Sequence, residues 1–183
     1  MWYLTIQEPS NWLWHLKKIE AELAWNITKG DSNIKIAILD TWFDITHPDL
    51  SSQITPSFDP YDSTYFDANC NRVNHGTTVA SFASAQTDGG GQLASVGFNS
   101  KIIGYQAWDG SYIERAHHAA LFMNANIITS SAGGWDCSTT VNQLDQLALQ
   151  EILDHGTTVI MPAGNGYNGT NCYYSGSFHA WKP

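Results

Sequence analysis

The chain has 183 residues, a formal charge of -9 and only 8 Lys and Arg. That length suits one domain with a sizeable core rather than two. The shortage of cations argues against nucleic acid and membrane surfaces as partners, and no run of about 18 apolar residues is present to span a bilayer.

In chain order, the first strong signal is IKIAILD, Ile34 to Asp40, a nearly continuous apolar, β-branched run ending in a carboxylate. It suits a strand buried on both faces of a parallel sheet. Similar runs follow at Lys101 to Ala107, Asn126 to Ser131 and Thr157 to Ala163. Between them lie three helical patterns, TTVASFASA, YIERAHHAALFMNA and VNQLDQLALQEILDH. In the last, Val141, Leu144, Leu147, Ala148 and Ile152 recur at the spacing of one helix face. Strands alternating with helices predict an α/β fold, with helices on both sides of a mostly parallel central sheet. QTDGGGQLAS and AGNGYNGTN read as surface loops.

The letters HGTT occur twice, at His75 and at His155. His155 and Gly156 follow a patterned helix and precede an apolar strand, so Gly156 is placed to end that helix in the left-handed conformation. His75 has the opposite polarity. It follows a polar loop and opens a run of small residues suited to a closely packed central helix. The seven His show no HExxH spacing, and His117 and His118 read as surface residues on different helix faces. Cys70, Cys137 and Cys172 show no metal-ligand spacing, and an odd count allows at most one internal disulfide.

Ligands of open parallel sheets collect beyond the carboxyl ends of the strands. Those ends supply Asp40, the segment Ser130 to Gly134, and Ala163-Gly164-Asn165. With His75 they amount to most of an acyl-transfer site: a carboxylate to orient an imidazole, the imidazole as base, and an amide to donate to an oxyanion. The ordered blocks WHLKKIEAELAWNITKG, IAILDTWFDITHPDL, NHGTTVASFASA, VGFNSKIIGYQA, IITSSAGG and VIMPAGNG resemble those of the subtilisin-like serine proteases, the subtilases. The resemblance implies a subtilisin-like three-layer sandwich, truncated at its C-terminus. Residues 1–30 would be the lead-in segment and 31–183 part of one peptidase catalytic domain.

By the same resemblance, Asp40 and His75 belong to an Asp-His-Ser triad and Asn165 is the oxyanion donor. Ser131, Ala132 and Gly133, with Ala163 and Gly164, would bind an extended polypeptide substrate. The implied activity is serine endopeptidase, monomeric and secreted, although residues 1–30 carry no signal peptide. No cofactor is needed for this chemistry; Asp49, Gln86 and Asp88 are candidate ligands of a structural calcium. The subtilase arrangement would also bring Cys137 and Cys172 to one cleft, implying a disulfide that leaves Cys70 free.

Three departures qualify the match. Trp42 stands where the family usually has Gly, Ser81 where Gly is common, and Phe98 where Pro is common. The nucleophile's GTS-type turn has no counterpart, and Ser130, Ser131, Ser175 and Ser177 lack its context. The expectation is therefore a piece of a protease whose serine lies downstream; the alternative is a peptide-binding pseudoprotease of the same fold. A phosphotransferase with Asp40 as nucleophile is disfavoured by Trp42 in place of a second carboxylate, and by the lack of a Gly-rich phosphate loop with Lys.

Overall fold

A computed structural model describes residues 13–55, 74–87, 93–107, 112–131 and 143–162. Among the described residues, five strands form one parallel sheet in the order β2-β3-β1-β4-β5. They are β1 (Lys35–Asp40), β2 (Ile54–Thr55), β3 (Lys101–Gln106), β4 (Ile127–Ser130) and β5 (Thr158–Ile160). The four apolar runs of the sequence become β1, β3, β4 and β5. The two-residue β2 has no apolar run to announce it and pairs with β3 at Ile54–Ile102 and Thr55–Ile103.

β1 is the central strand, in register with β3 from Lys35–Lys101 to Asp40–Gln106, and with β4 from Ile36–Ile127 to Leu39–Ser130. Its side chains alternate between two cores. Ile38 packs with Ile102, Phe43, Leu50 and Ala80 beside α3 (Asn74–Ser84). Ala37 and Leu39 pack with Ile103, Tyr105, Ala116 and Ile152 on the opposite face, under α4 (Tyr112–Leu121) and α5 (Gln143–Asp154). The three layers follow from strands that are apolar on both faces. Gly104 makes room for the buried Phe43, whose ring a Cβ there would approach to 2.8 Å.

The N-terminal helices α1 (Trp14–Lys18) and α2 (Ala21–Trp25) form a smaller cluster in which Leu16, Ala21 and Trp25 meet Phe98. Trp25 donates its indole N–H to the Val96 carbonyl at 3.0 Å and meets the Phe98 ring edge-on at 5.6 Å. Phe98, a departure from the family pattern, thus has a specific aromatic partner. The same loop is tied to the end of α3, with Gly97 N–H on the Ala83 carbonyl and the Ser95 hydroxyl on that of Ala85.

Two expectations change. Leu144 and Leu147 of α5 are 71% and 57% exposed, whereas Leu149 and Ile152 are buried. The helix is apolar on more than one side, and contact with α4 and the sheet selects the stripe containing 149 and 152. His117 and His118 are half-buried rather than surface residues. Because α4 lies on the sheet with α5 alongside, His117 Nε2 meets Glu151 Oε2 of α5 at 2.6 Å. His118 Nδ1 meets the Tyr105 hydroxyl of β3 at 2.9 Å and its ring stacks on Phe122. At the other HGTT copy, α5 ends at Asp154 and Gly156 takes φ +88°, as its helix-ending position predicts.

Candidate active site

Asp40 is the last residue of β1 and only 5% exposed. A parallel sheet delivers this position to its carboxyl edge, beside Gln106 of β3. On the other side the register with β4 ends at Leu39–Ser130, so the next residue, Ser131, leaves the sheet next to Asp40. Ser131 is exposed, while the Ser130 hydroxyl is committed to the Leu39 carbonyl at 3.0 Å.

His75 enters from α3, where it is the second residue. Its Nδ1 lies 2.6 Å from Asp40 Oδ1. An ionised carboxylate only accepts hydrogen bonds, so this contact assigns the ring proton to Nδ1 and leaves the Nε2 lone pair to take up a proton. The His75 side chain is 62% exposed against 2% for Asp40. Asp40 Oδ1 also accepts the Thr41 N–H at 2.7 Å; Oδ2 is buried and, among the described residues, has no partner. The pair thus consists of a fixed, desolvated carboxylate and an accessible imidazole.

Close backbone contact holds the start of α3 against the loop after β1. The Gly76 N–H donates to Thr41 Oγ1, and the Asp44 N–H to Thr77 Oγ1, both at 2.9 Å. A Cβ on Gly76 would lie 2.7 Å from the Trp42 carbonyl oxygen and 3.1 Å from that of Thr41. The Gly of this HGTT is therefore needed for close approach, unlike Gly156, where a Cβ would meet nothing within 4 Å. Thr41 directly follows Asp40, and Thr77 lies two residues after His75; in the sequence only this nearness marks them.

Asp49, a candidate cation ligand, is 1% exposed, and its Oδ1 has no partner among the described residues. Its carbonyl accepts the Gln86 N–H at 2.7 Å, so loop 44–53 and the end of α3 meet there. The Gln86 side-chain oxygen accepts the Ser52 hydroxyl, and Thr87 Oγ1 is also buried without a partner among the described residues. A buried carboxylate oxygen without a partner among the described residues is the type of donor that a hard cation such as calcium takes. Among the described residues no group of three or more His, Cys, Asp or Glu forms a metal cluster. Asn165, Ala132, Gly133, Ala163, Gly164, Asp88 and the cysteines Cys70, Cys137 and Cys172 lie outside the described residues.

Comparison with known proteins matches residues 31–181 to a family described as the subtilase family. A thermophilic serine proteinase of Bacillus sp. strain AK1 is 34% identical over 155 residues, covering 81% of this chain and 37% of the relative. The major intracellular serine protease of Bacillus subtilis strain 168 is 32% identical over 163 residues, covering 84% of this chain and 50% of the relative. The chain thus spans half or less of the length of these two relatives. Among solved structures, that of the prenylagaramide maturation protease PagA superposes with a TM-score of 0.65 at 24% identity, over 84% of this chain and 53% of that one. That likeness establishes the shared fold.

Proposed function

The chain belongs to the subtilase family, and on that premise we propose that it supplies the Asp and His of a serine endopeptidase whose nucleophilic Ser lies outside these 183 residues. The observation that carries this reading is the 2.6 Å contact between Asp40 and His75 at the carboxyl edge of the central strand. In the mechanism, His75 Nε2 takes the proton of the Ser hydroxyl as its oxygen attacks the scissile carbonyl, then gives it to the leaving amine. Asp40 holds the working tautomer and stabilises the imidazolium. Asn165 donates to the oxyanion, and an extended polypeptide lies along Ser131, Ala132 and Gly133, with Ala163 and Gly164 leaving room for a side chain.

In this reading residues 1–30 lead into the domain, and residues 31–183 are part of a catalytic unit that acts as an extracellular monomer. The intracellular protease among the relatives is the contrary precedent for location, and fractionation of the source cells distinguishes the two. Calcium held by Asp49, with Gln86 and Asp88 as further ligands, has a structural role and takes no part in the reaction. Cys137 and Cys172 form the disulfide, which peptide mapping without reduction checks.

The test compares the complete gene product with residues 1–183 alone, using fluorescein-casein hydrolysis and labelling by a fluorophosphonate probe. The complete protein should hydrolyse casein and take the label, and His75→Ala should abolish both. The 183-residue chain should do neither. Casein hydrolysis by the short chain would refute a downstream nucleophile. Failure of the complete protein to take the label or cleave casein would favour a peptide-binding pseudoprotease.

A further inference from the structure

We propose that Thr41 is a positioning residue for the Asp40–His75 pair: it bonds the carboxylate through its backbone and the helix carrying the imidazole through its hydroxyl. The inference rests on the proposed function, since it concerns how the same site is held together. Thr41 N–H donates to Asp40 Oδ1 at 2.7 Å, the oxygen that faces His75 Nδ1 at 2.6 Å. Thr41 Oγ1 accepts the N–H of Gly76, the residue after His75, at 2.9 Å. One residue therefore closes a ring that runs from the carboxylate, through the imidazole and its backbone, back to the residue following the carboxylate.

The geometry makes this more than a local cap. The first amides of a helix have no partner within the helix and need one from elsewhere. Here the acceptor comes from the strand-end segment that carries the catalytic carboxylate, so satisfying the helix also fixes its register against β1. Gly76 permits the approach, because a side chain there would collide with the carbonyl oxygens of Thr41 and Trp42. The Thr77 hydroxyl, accepting the Asp44 N–H at 2.9 Å, is a second tie between the same two segments. That second tie keeps the helix docked if the Thr41 hydroxyl is lost, so Thr41→Val should loosen the His75 position without undocking α3. Thr41 touches no substrate atom in this reading; it acts through the placement of His75.

The test uses the complete gene product, with kcat and KM for fluorescein-casein, thermal unfolding, and the low-field proton resonance of the His75 Nδ1–H. Thr41→Val keeps the shape and removes the acceptor. It should lower kcat by about 10- to 100-fold with KM unchanged, the scale for a displaced catalytic group, and it should weaken or shift the low-field resonance. Thr41→Ser keeps the hydroxyl and should retain both. If Thr41→Val does not fold, Thr41→Ala provides the same comparison without the branched side chain. Wild-type kcat and resonance in Thr41→Val, with hydrolysis abolished by His75→Ala, would overturn the positioning role and leave the proposed function standing. The same holds if kcat falls only in step with melting temperature and Thr41→Ser gives no rescue. Hydrolysis that survives His75→Ala would overturn both readings.

Discussion

Gly76 and Gly156 occupy the same place in two copies of one four-letter string, yet substitution should harm them for different reasons. At Gly76 an Ala methyl would lie 2.7 Å from a backbone carbonyl oxygen, so α3 must move away from loop 41–43. Gly76→Ala should destabilise the complete protein by about 1–3 kcal/mol, the usual cost of overpacking. It should also lower kcat on casein, because His75 moves with the helix. At Gly156 there is open space but φ is +88°, so Gly156→Ala should cost about 1 kcal/mol through backbone strain alone and leave kcat unchanged. Urea unfolding with casein kinetics separates the two. Equal kcat losses would show that the copies are not distinguished by their distance from Asp40. Both predictions rest on backbone placement, which the string HGTT does not encode.

Among the elements, α5 shows how packing selects one face of an ambiguous helix. Ile152 is fully buried in the core beneath α4 and α5, so Ile152→Ala should cost about 2–5 kcal/mol. Leu147 is 57% exposed, and Leu147→Ala should stay within about 0.5 kcal/mol. Urea midpoints check both, and a reversed order would mean that the helix is rotated. The spacing in the sequence picked out the face with Leu144, Leu147 and Ile152, but Leu149 is apolar as well and lies on the side that is buried. The choice was made by α4, whose His117 meets Glu151 across the seam. With Glu151 63% exposed, that contact contributes little beyond orientation. At the other end of the molecule, Trp25 and Phe98 form a contact between residues far apart in sequence, which no local pattern reveals.

Across the whole molecule, the buried Asp49 carboxylate links stability to the proposed cation. Its Oδ1, buried and unpartnered among the described residues, is the atom through which a bound cation would act on stability. Calcium at about 100-fold its dissociation constant would add about 2.7 kcal/mol, so chelation should lower the melting temperature of the complete protein. Asp49→Asn should remove the response to chelator. A wild-type melting temperature indifferent to calcium and EDTA would exclude that ion at this site.

The α/β class, four of the five described strands and two of their end residues, Asp40 and Ser130, were legible in the chain, because a doubly buried parallel strand must be an apolar run and must deliver its last residue to the sheet edge. It also distinguished His75 from His155, because a helix start and a helix end differ in local pattern. Tertiary structure alone decided the short β2, which β3 pairs despite its brevity, and the buried face of α5. It likewise decided the partners of His117 and His118, and the Thr41–Gly76 contact next to the Asp40–His75 pair. Each depends on which segments meet in space, and hydrogen bonds and close contacts between distant segments leave no periodicity in the chain.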